Sequence, residues 1–590
     1  MKYKLYKDTK KNMTALEQIL YNRGIPVEEQ SKWLSAGWES INDWRAFGEE
    51  KMREAARIVQ EEIEANHRIA ILCDEDPDGA TSTAIVYNFI HWYYPEYAKE
   101  NVEIIFHKNR THGLKDIDLD YIIDNFDLLW SPDASTNDYK ELELLVYHDV
   151  KVIITDHHLA EKAMCIDDKI VTVNNQIDDY PNKDLSGAGV SWQLCRAIEK
   201  IYHNEQKPCT ENHLLDLVAL GNLSDMMDYH STEIRAIVRL GLSNLENKFM
   251  KELANTNDYI IQKRNGLNYL SSAFGITPFI NCCFRSATYE EKLLVINAFF
   301  DDKATEKVPS TKRGCKGESV YLWEEAILVA QRVKRKQSKL QDELESFFKK
   351  KIEEENLLDN AILLFLCEPG EVDKNLAGLM ANRLQSRYQK PCAVLTRVYD
   401  ENLKREFYRG SMRNYSLSER NNLKADLEAT GEIEWCQGHE NSAGLSIPVE
   451  NIPAFIEKFN KLYENVPQEP VYWVDYIWNK NEIDLDKIYD ISLFDIYGQQ
   501  IPESFICIEN ILLNSCKVDL KSPDRNPTLC ITLGDLEIMK FKSSQEEYEE
   551  FCAENAILTF IGKPSLNRYN GKEKVQLIIE DFYLREEWLF

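Results

Sequence analysis

Between residues 67 and about 235, five short apolar, β-rich runs alternate with helical stretches such as 80–93 and 139–148. The runs are 69–73, 102–106, 127–130, 152–155 and 170–173. This alternation predicts a mostly parallel α/β sheet, because parallel strands need crossover connections and helices supply them. In such sheets ligands collect at the carboxyl ends of the strands. Two of the runs end in clusters of charge. Ile69-Ala70-Ile71-Leu72-Cys73 leads into Asp74-Glu75-Asp76-Pro77-Asp78-Gly79, and Val152-Ile153-Ile154 leads into Thr155-Asp156-His157-His158. So many carboxylates and imidazoles at strand ends cannot stay without partners, and divalent cations are the natural ones.

Further carboxylates follow the same pattern. Asp133 comes after the apolar run Phe126-Asp127-Leu128-Leu129, and Asp216 sits among the core-like residues Leu214, Leu215, Leu217 and Val218. Any one aspartate can be a helix cap or turn former, and Asp216 reads as easily as a cap as a ligand. As a set, the five carboxylates and His157 can hold two cations close together. Two such cations can activate a water and stabilise the leaving oxygen of an in-line phosphoryl displacement.

At 590 residues the chain is too long for one core, and three or four domains are expected. The reading is an α/β multidomain protein. It has a helical lead-in over 1–66, a parallel-sheet catalytic lobe over 67–318, a long connecting helix over 319–358, a smaller α/β lobe over 359–466 and a small all-β barrel over 467–590. Apolar positions Leu322, Ala326, Val329, Val333 and Leu340 carry the helical repeat of the connector. Its basic patch, Arg332, Lys334, Arg335, Lys336 and Lys339, is either a solvated helix face or a groove that tracks a strand. The barrel is read from short strands at 504–508, 528–533, 557–561 and 575–580, with an Asn570-Gly571 hairpin turn.

Formal charge is −29, which argues against a protein that coats nucleic acid by nonspecific attraction. It does not exclude a nuclease, whose catalytic carboxylates are masked by bound metal. The 14 cysteines include no CxxC pair, and several lie within apolar runs. No stretch approaches the ~18 apolar residues needed to cross a bilayer, and the first residues lack the apolar core of a signal peptide. A soluble protein of a reducing, cytoplasmic compartment is expected.

These motifs resemble the DHH phosphoesterase superfamily and, within it, the RecJ single-strand-specific exonucleases. Asp74–Ser82 resembles the first family motif, and Thr155-Asp156-His157-His158 the naming motif. Leu185–Val190 and Asp216–Asp225 resemble two later ones, and Arg23-Gly24-Ile25 the N-terminal lead-in. Asn375–Leu384 and Gln437–Ser446 resemble the DHH-associated second lobe, and the terminal β segment lies where RecJ proteins carry an OB-like barrel.

The resemblance implies two ions, Mn²⁺ or Mg²⁺. Asp74 and Asp76 would serve one metal, Asp78 the other, and Asp133 would bridge them. His157 and Asp216 would complete the second site, with His158 against the scissile phosphate and Asp156 orienting an imidazole. It also implies a pocket for a 5′-terminal phosphate at Arg110, Arg285, Ser411 and Arg413, with His439 reaching the substrate from the second lobe. Single-stranded DNA would be the substrate, degraded 5′ to 3′ in repair or recombination. A single-stranded-DNA-binding protein or helicase would be its protein partner, and the enzyme a monomer. The chain departs from the family at Ser135 and Gln437, where glycines are usual, and at Phe279, in place of an arginine. Two alternatives stand beside the DNA exonuclease: a phosphodiesterase acting on RNA or short oligonucleotides, and a non-catalytic scaffold that binds single strands. Retention of so many buried anionic positions speaks against the scaffold.

Overall fold

A computed structural model of the chain describes residues 1–590 apart from 11, 108–110, 162–166, 204–207, 416, 467–468, 570–571 and 587–590. Two compact units divide it. One comprises Ile25–Arg335 with Asp495–Pro502; the other comprises Met1–Gly24, Lys336–Phe494 and Glu503–Phe590.

The first unit is built on five parallel strands: β1 (Ile69–Cys73), β2 (Val102–Phe106), β3 (Leu128–Pro132), β4 (Lys151–Asp156) and β5 (Ile170–Asn174). Their order in the sheet is β2-β1-β3-β4-β5. Helices cover both faces, which explains why these strands read as continuous apolar runs. Ala70, Leu72, Leu129, Val152 and Ile154 pack into one cluster, while Ile69, Ile71 and Ile153, at the alternate positions, are fully buried as well. The strand order reverses between β1 and β3. That switch point is where loops part and a crevice opens at the strand carboxyl ends. Three helices border it: α1 (Pro77–Tyr93), α2 (Gly187–Ile198) and α3 (Leu215–Ser224).

The helix α4 (Leu322–Glu355) forms where the connector was expected. Within its basic patch two side chains meet carboxylates. Arg332 pairs with Glu291 at 2.8 Å, and Lys339 lies 3.6 Å from Glu343 one turn on.

The second unit holds three sheets among the described residues. Strands β6 (Leu363–Cys367), β7 (Cys392–Asp400), β8 (Arg405–Arg413), β9 (Trp435–His439) and β10 (Ser442–Pro448) lie in the order β9-β10-β8-β7-β6. Helix α5 (Lys374–Tyr388) connects β6 to its parallel neighbour β7. Strand β11 (Val471–Val474) pairs in parallel with a strand at the chain start, Lys2–Leu5. The opening segment therefore departs from the helical lead-in read from the sequence, since a four-residue strand takes its conformation from a pairing partner far along the chain.

A seven-stranded sheet completes the unit: β12 (Tyr476–Asn479), β13 (Ile506–Leu512), β14 (Lys517–Lys521), β15 (Thr528–Leu533), β16 (Leu536–Phe541), β17 (Ala556–Tyr569) and β18 (Lys572–Glu586). Its order is β12-β13-β17-β18-β16-β15-β14. Two of its joins are parallel, and short helices at Leu485–Leu493 and Gln545–Phe551 accompany it, so the OB-like domain has a mixed sheet. The Asn570-Gly571 turn lies outside the described residues.

A pH-dependent tie joins two helical segments of the first unit. His213 Nε2 lies 2.6 Å from Asp301 Oδ2, with side chains 19% and 27% exposed. Burial works against the charged ring, but the bond to Asp301 and the charges of Asp216 and Glu246 raise its pKa. A histidine whose folded pKa is raised contributes stability in full below its unfolded value of ~6.5, and loses it as pH rises through the folded value. His213→Asn should therefore cost up to about 1 kcal/mol near pH 6 and close to nothing near pH 9. Urea unfolding of both proteins at the two pH values checks this. A pH-independent difference would remove the ion pair as its cause.

Candidate metal centre

The acidic loop after β1 is shaped by helix capping and close packing. Asp76 is the N-cap of α1, its side chain accepting the Gly79 N–H at 2.9 Å, with Pro77 in the first turn. A Cβ on Gly79 would lie 2.6 Å from Asp74 Cβ, so only glycine lets the helix start press against that residue. Asp74 accepts the Gly113 N–H at 3.2 Å, and His112 Nδ1 lies 2.8 Å from its other oxygen. Glu75, between the two aspartates, pairs with Lys292.

Asp78 is set by a second helix start. The N–H groups of Gly187 and Ala188, at the head of α2, donate to its two oxygens at 2.8 and 3.2 Å. These are orphan donors that favour an anion. A Cβ on Gly187 would lie 2.2 Å from Asp133 Oδ1, so the glycine also lets Asp133 approach. Asp133 follows β3 in a left-handed turn, φ 62°, with its own N–H donated to the Thr155 carbonyl at 2.8 Å. Ser135 has φ 80°, which accounts for the usual glycine there. Left-handed backbone costs a serine about 1–2 kcal/mol. A 2.8 Å hydroxyl bond between Ser135 and Ser131 offsets part of it.

At the end of β4, Asp156 Oδ1 accepts the backbone N–H of His157 and His158 at 2.7 and 3.2 Å and faces His158 Nδ1 at 2.7 Å. Asp156 thus orients the His158 ring. Burial opposes ionisation of Asp156, but His158 holds its carboxyl well below the usual range. Burial likewise works against a charged His158, and the bond to Asp156 raises it to about 9. His157 moves the other way: burial, then the charge of His158, push it down to about 4. At neutral pH its ring therefore offers a lone pair, as a metal ligand must. Its Nε2 lies 3.3 Å from Asp133, 3.5 Å from Asp225 and 3.9 Å from Asp78.

The donor atoms fall into overlapping triads, each within 4.8 Å: Asp74, Asp76 and Asp133; Asp78, His157 and Asp225; and Asp133, His157 and His158. Burial first, then mutual repulsion, raises the carboxyl pKa values of Asp76, Asp78, Asp133 and Asp225. Asp78 goes to about 7, Asp225 to about 8, Asp133 well above the carboxylate range, and Asp76 upward as well. Asp133 is 1% exposed, and its Oδ1 accepts no hydrogen bond among the described residues. A buried orphan oxygen between crowded carboxylates and a neutral imidazole is a donor set that divalent cations fit.

Asp216 must be corrected. It lies in the first turn of α3, with its oxygens accepting backbone N–H groups from Leu217 at 2.8 Å, Glu246 at 2.9 Å and Asn247 at 2.7 Å. It anchors chain and takes no place in the triads. The acid this segment brings is Asp225, the C-cap of the same helix. A signal for it existed in the sequence: a carboxylate at a helix C-terminus meets the negative end of the dipole and asks for a cation, whereas one in the first turn is already stabilised.

Arg110 lies outside the described residues. Arg285 occupies the last turn of a helix, Thr277–Ser286, in the first unit. Ser411 and Arg413 project from β8 of the second unit over α5. A Cβ on Gly378 would lie 2.8 Å from Arg413 Nη2 and 3.3 Å from Ser411 Oγ, so the glycine of that helix makes room for both. His439 is exposed at the end of β9, and Gln437 is exposed on the same strand. Phe279 lies in the Arg285 helix, where its carbonyl accepts the Cys282 and Cys283 thiols at 3.2 and 3.3 Å.

A switch-point crevice lined by carboxylates and one neutral imidazole defines a cation-binding α/β protein. Comparison narrows the class. Residues 68–222 match the profile of the DHH family N-terminal domain, 359–465 the DHHA1 domain and 474–581 the RecJ OB domain. YorK of Bacillus subtilis, an SPbeta prophage-derived protein provisionally named a single-strand DNA-specific exonuclease, is 29% identical over 586 residues, covering 98% of this chain and 97% of its own. The single-stranded-DNA-specific exonuclease RecJ of the same organism is 23% identical over 592 residues, covering 97% of this chain and 68% of its own. The crystal structure of RecJ in complex with Mn²⁺ from Thermus thermophilus superposes with TM-score 0.68 at 19% identity, covering 98% of this chain and 76% of that one. The chain thus carries a DHH domain, a DHHA1 domain and a RecJ OB domain in that order along its length. No helix among the described residues is long and apolar enough to cross a membrane.

Proposed function

We propose that this chain is a metal-dependent exonuclease that hydrolyses single-stranded DNA from its 5′ end to mononucleotides. The observation that carries the reading is the pair of triads, Asp74–Asp76–Asp133 and Asp78–His157–Asp225, packed side by side at one sheet switch point. The names of the relatives and the Mn²⁺ in the Thermus structure support it. Asp74, Asp76 and Asp133 would hold one ion, and Asp78, His157 and Asp225 the other. Two bound Mn²⁺ or Mg²⁺ ions would activate a water and stabilise the leaving oxygen of an in-line displacement. Around them, the α2 start fixes Asp78, and Asp156 holds His158 so that its Nε2 is presented to a phosphoryl oxygen. Arginine's planar fork matches phosphate oxygens, so Arg285 in the first unit and Arg413, beside Ser411, in the second each suit a phosphate contact. A RecJ OB domain suits binding of a polymer, which favours DNA strands over short oligonucleotides. Repair or recombination, a single-stranded-DNA-binding protein or helicase as partner, and a monomeric state complete the proposal.

The test is the purified protein with Mn²⁺ on 5′- and 3′-labelled single strands, DNA beside RNA and duplex. The expected result is early release of the 5′ label from DNA, resistance of the duplex and full inhibition by EDTA. Earlier release of the 3′ label would reverse the polarity. Faster cleavage of RNA would move the substrate, and activity in excess EDTA would end the metal reading.

A further inference from the structure

Two imidazoles stand at this centre in matching settings. His158 Nδ1 is 2.7 Å from Asp156 Oδ1, and His112 Nδ1 is 2.8 Å from Asp74 Oδ2. A carboxylate bonded at Nδ1 fixes the ring's orientation and leaves Nε2 on the far side. The two rings meet edge to face, centroids 4.6 Å apart and planes at 65°. Both side chains are about half open, 49% exposed for His112 and 43% for His158. His112 Nε2 makes no hydrogen bond among the described residues.

The chain around His112 is pinned in place. Gly113 donates its N–H to Asp74, and Leu114 donates its own to Asp138 at 2.8 Å. Gly113 turns with φ 70°, where a Cβ would lie 2.1 Å from Asp138 Oδ2. His107 offers an internal contrast. It also approaches Asp74, Nε2 to Oδ1 3.6 Å, but its side chain is fully buried and its Nδ1 lies 2.8 Å from the Thr111 hydroxyl, so neither nitrogen is open to a substrate. A histidine kept solely to brace Asp74 has no need to leave its other nitrogen open beside His158.

We infer that His112 is a second phosphate-contacting residue of this centre, its Nε2 edge meeting a phosphoryl oxygen beside His158. The inference rests on the phosphodiesterase reading above. It is tested with His112→Asn, whose amide keeps a donor to Asp74 but has nothing in the place of Nε2. With Mn²⁺ and a 5′-labelled single-stranded oligodeoxynucleotide, kcat should fall about 10–100-fold. Mn²⁺ affinity, read by calorimetry on the full chain, and thermal midpoint should stay as in the wild type. A second variant, His112→Phe, keeps the ring packed against His158 and should show the same loss. Retention of kcat within twofold in His112→Asn overturns the inference, and so does a fall in Mn²⁺ affinity that matches the fall in rate. Absence of Mn²⁺-dependent cleavage by the wild type would instead bring down the underlying reading.

Discussion

Asp78→Ala is expected to lower kcat by a factor on the order of 10³ or more while leaving the protein folded, because the metal's charge stabilisation is worth several kcal/mol and each ~1.4 kcal/mol is tenfold in rate. Asp78 is held by two backbone donors at the head of α2 and lies 3.9 Å from His157 Nε2. Asp225→Asn should give a loss of similar order, since Asp225 completes the same triad. Asp216→Asn is the discriminating control. Its carboxylate serves three backbone N–H groups, so the amide should cost about 1–3 kcal/mol of stability and leave the rate of the folded enzyme within a few-fold of wild type. Cleavage rate, Mn²⁺ affinity and thermal midpoint, measured on all three, separate the roles. A folded Asp216→Asn as inactive as Asp78→Ala would return Asp216 to the centre.

The second large effect concerns stability and the lead-in segment. Arg23 donates from Nη1 and Nη2 to the two oxygens of Asp475 at 2.8 and 2.9 Å, with side chains only 2% and 0% exposed. Asn22 Nδ2 adds a third bond to Asp475 at 2.8 Å, and the guanidinium stacks over Tyr6 at 4.3 Å. Truncating one partner leaves the other as a buried, uncompensated charge, so Arg23→Ala should destabilise by about 3–5 kcal/mol. Arg23→Lys should recover only part of this, because a point charge cannot span both oxygens. The double variant Arg23→Ala/Asp475→Ala should cost less than the sum of the singles. Urea unfolding followed by tryptophan fluorescence reads all four. Additive losses would mean the pair is not coupled.

Much of this fold was legible along the chain. Strands buried on both faces leave unbroken apolar runs, so Ile69–Cys73 and Val102–Phe106 fall where the runs at 69–73 and 102–106 place them. The acidic loop and the Asp-His-His segment announced a cation site because charges at buried strand ends need a partner. The strand Lys2–Leu5 was not legible, since what makes it a strand is β11 near the other end of the chain. Nor could spacing show which aspartate of 216–225 faces the cluster. Asp216 looked like a ligand because its neighbours are apolar, yet local backbone donors satisfy its burial.

The sequence alone determined the kind of chemistry. It supplied carboxylates and imidazoles at the carboxyl ends of parallel strands, and the domain set from DHH lobe to OB-like sheet. Tertiary structure decided the membership of the site. The glycine heads of α1 and α2 bring Asp74, Asp78 and Asp133 together, the end of α3 delivers Asp225, and Asp156 and Asp74 each hold an imidazole. The reason is geometric. A carboxylate's role depends on which donors lie within about 3 Å of it, and those donors come from segments that only folding makes neighbours.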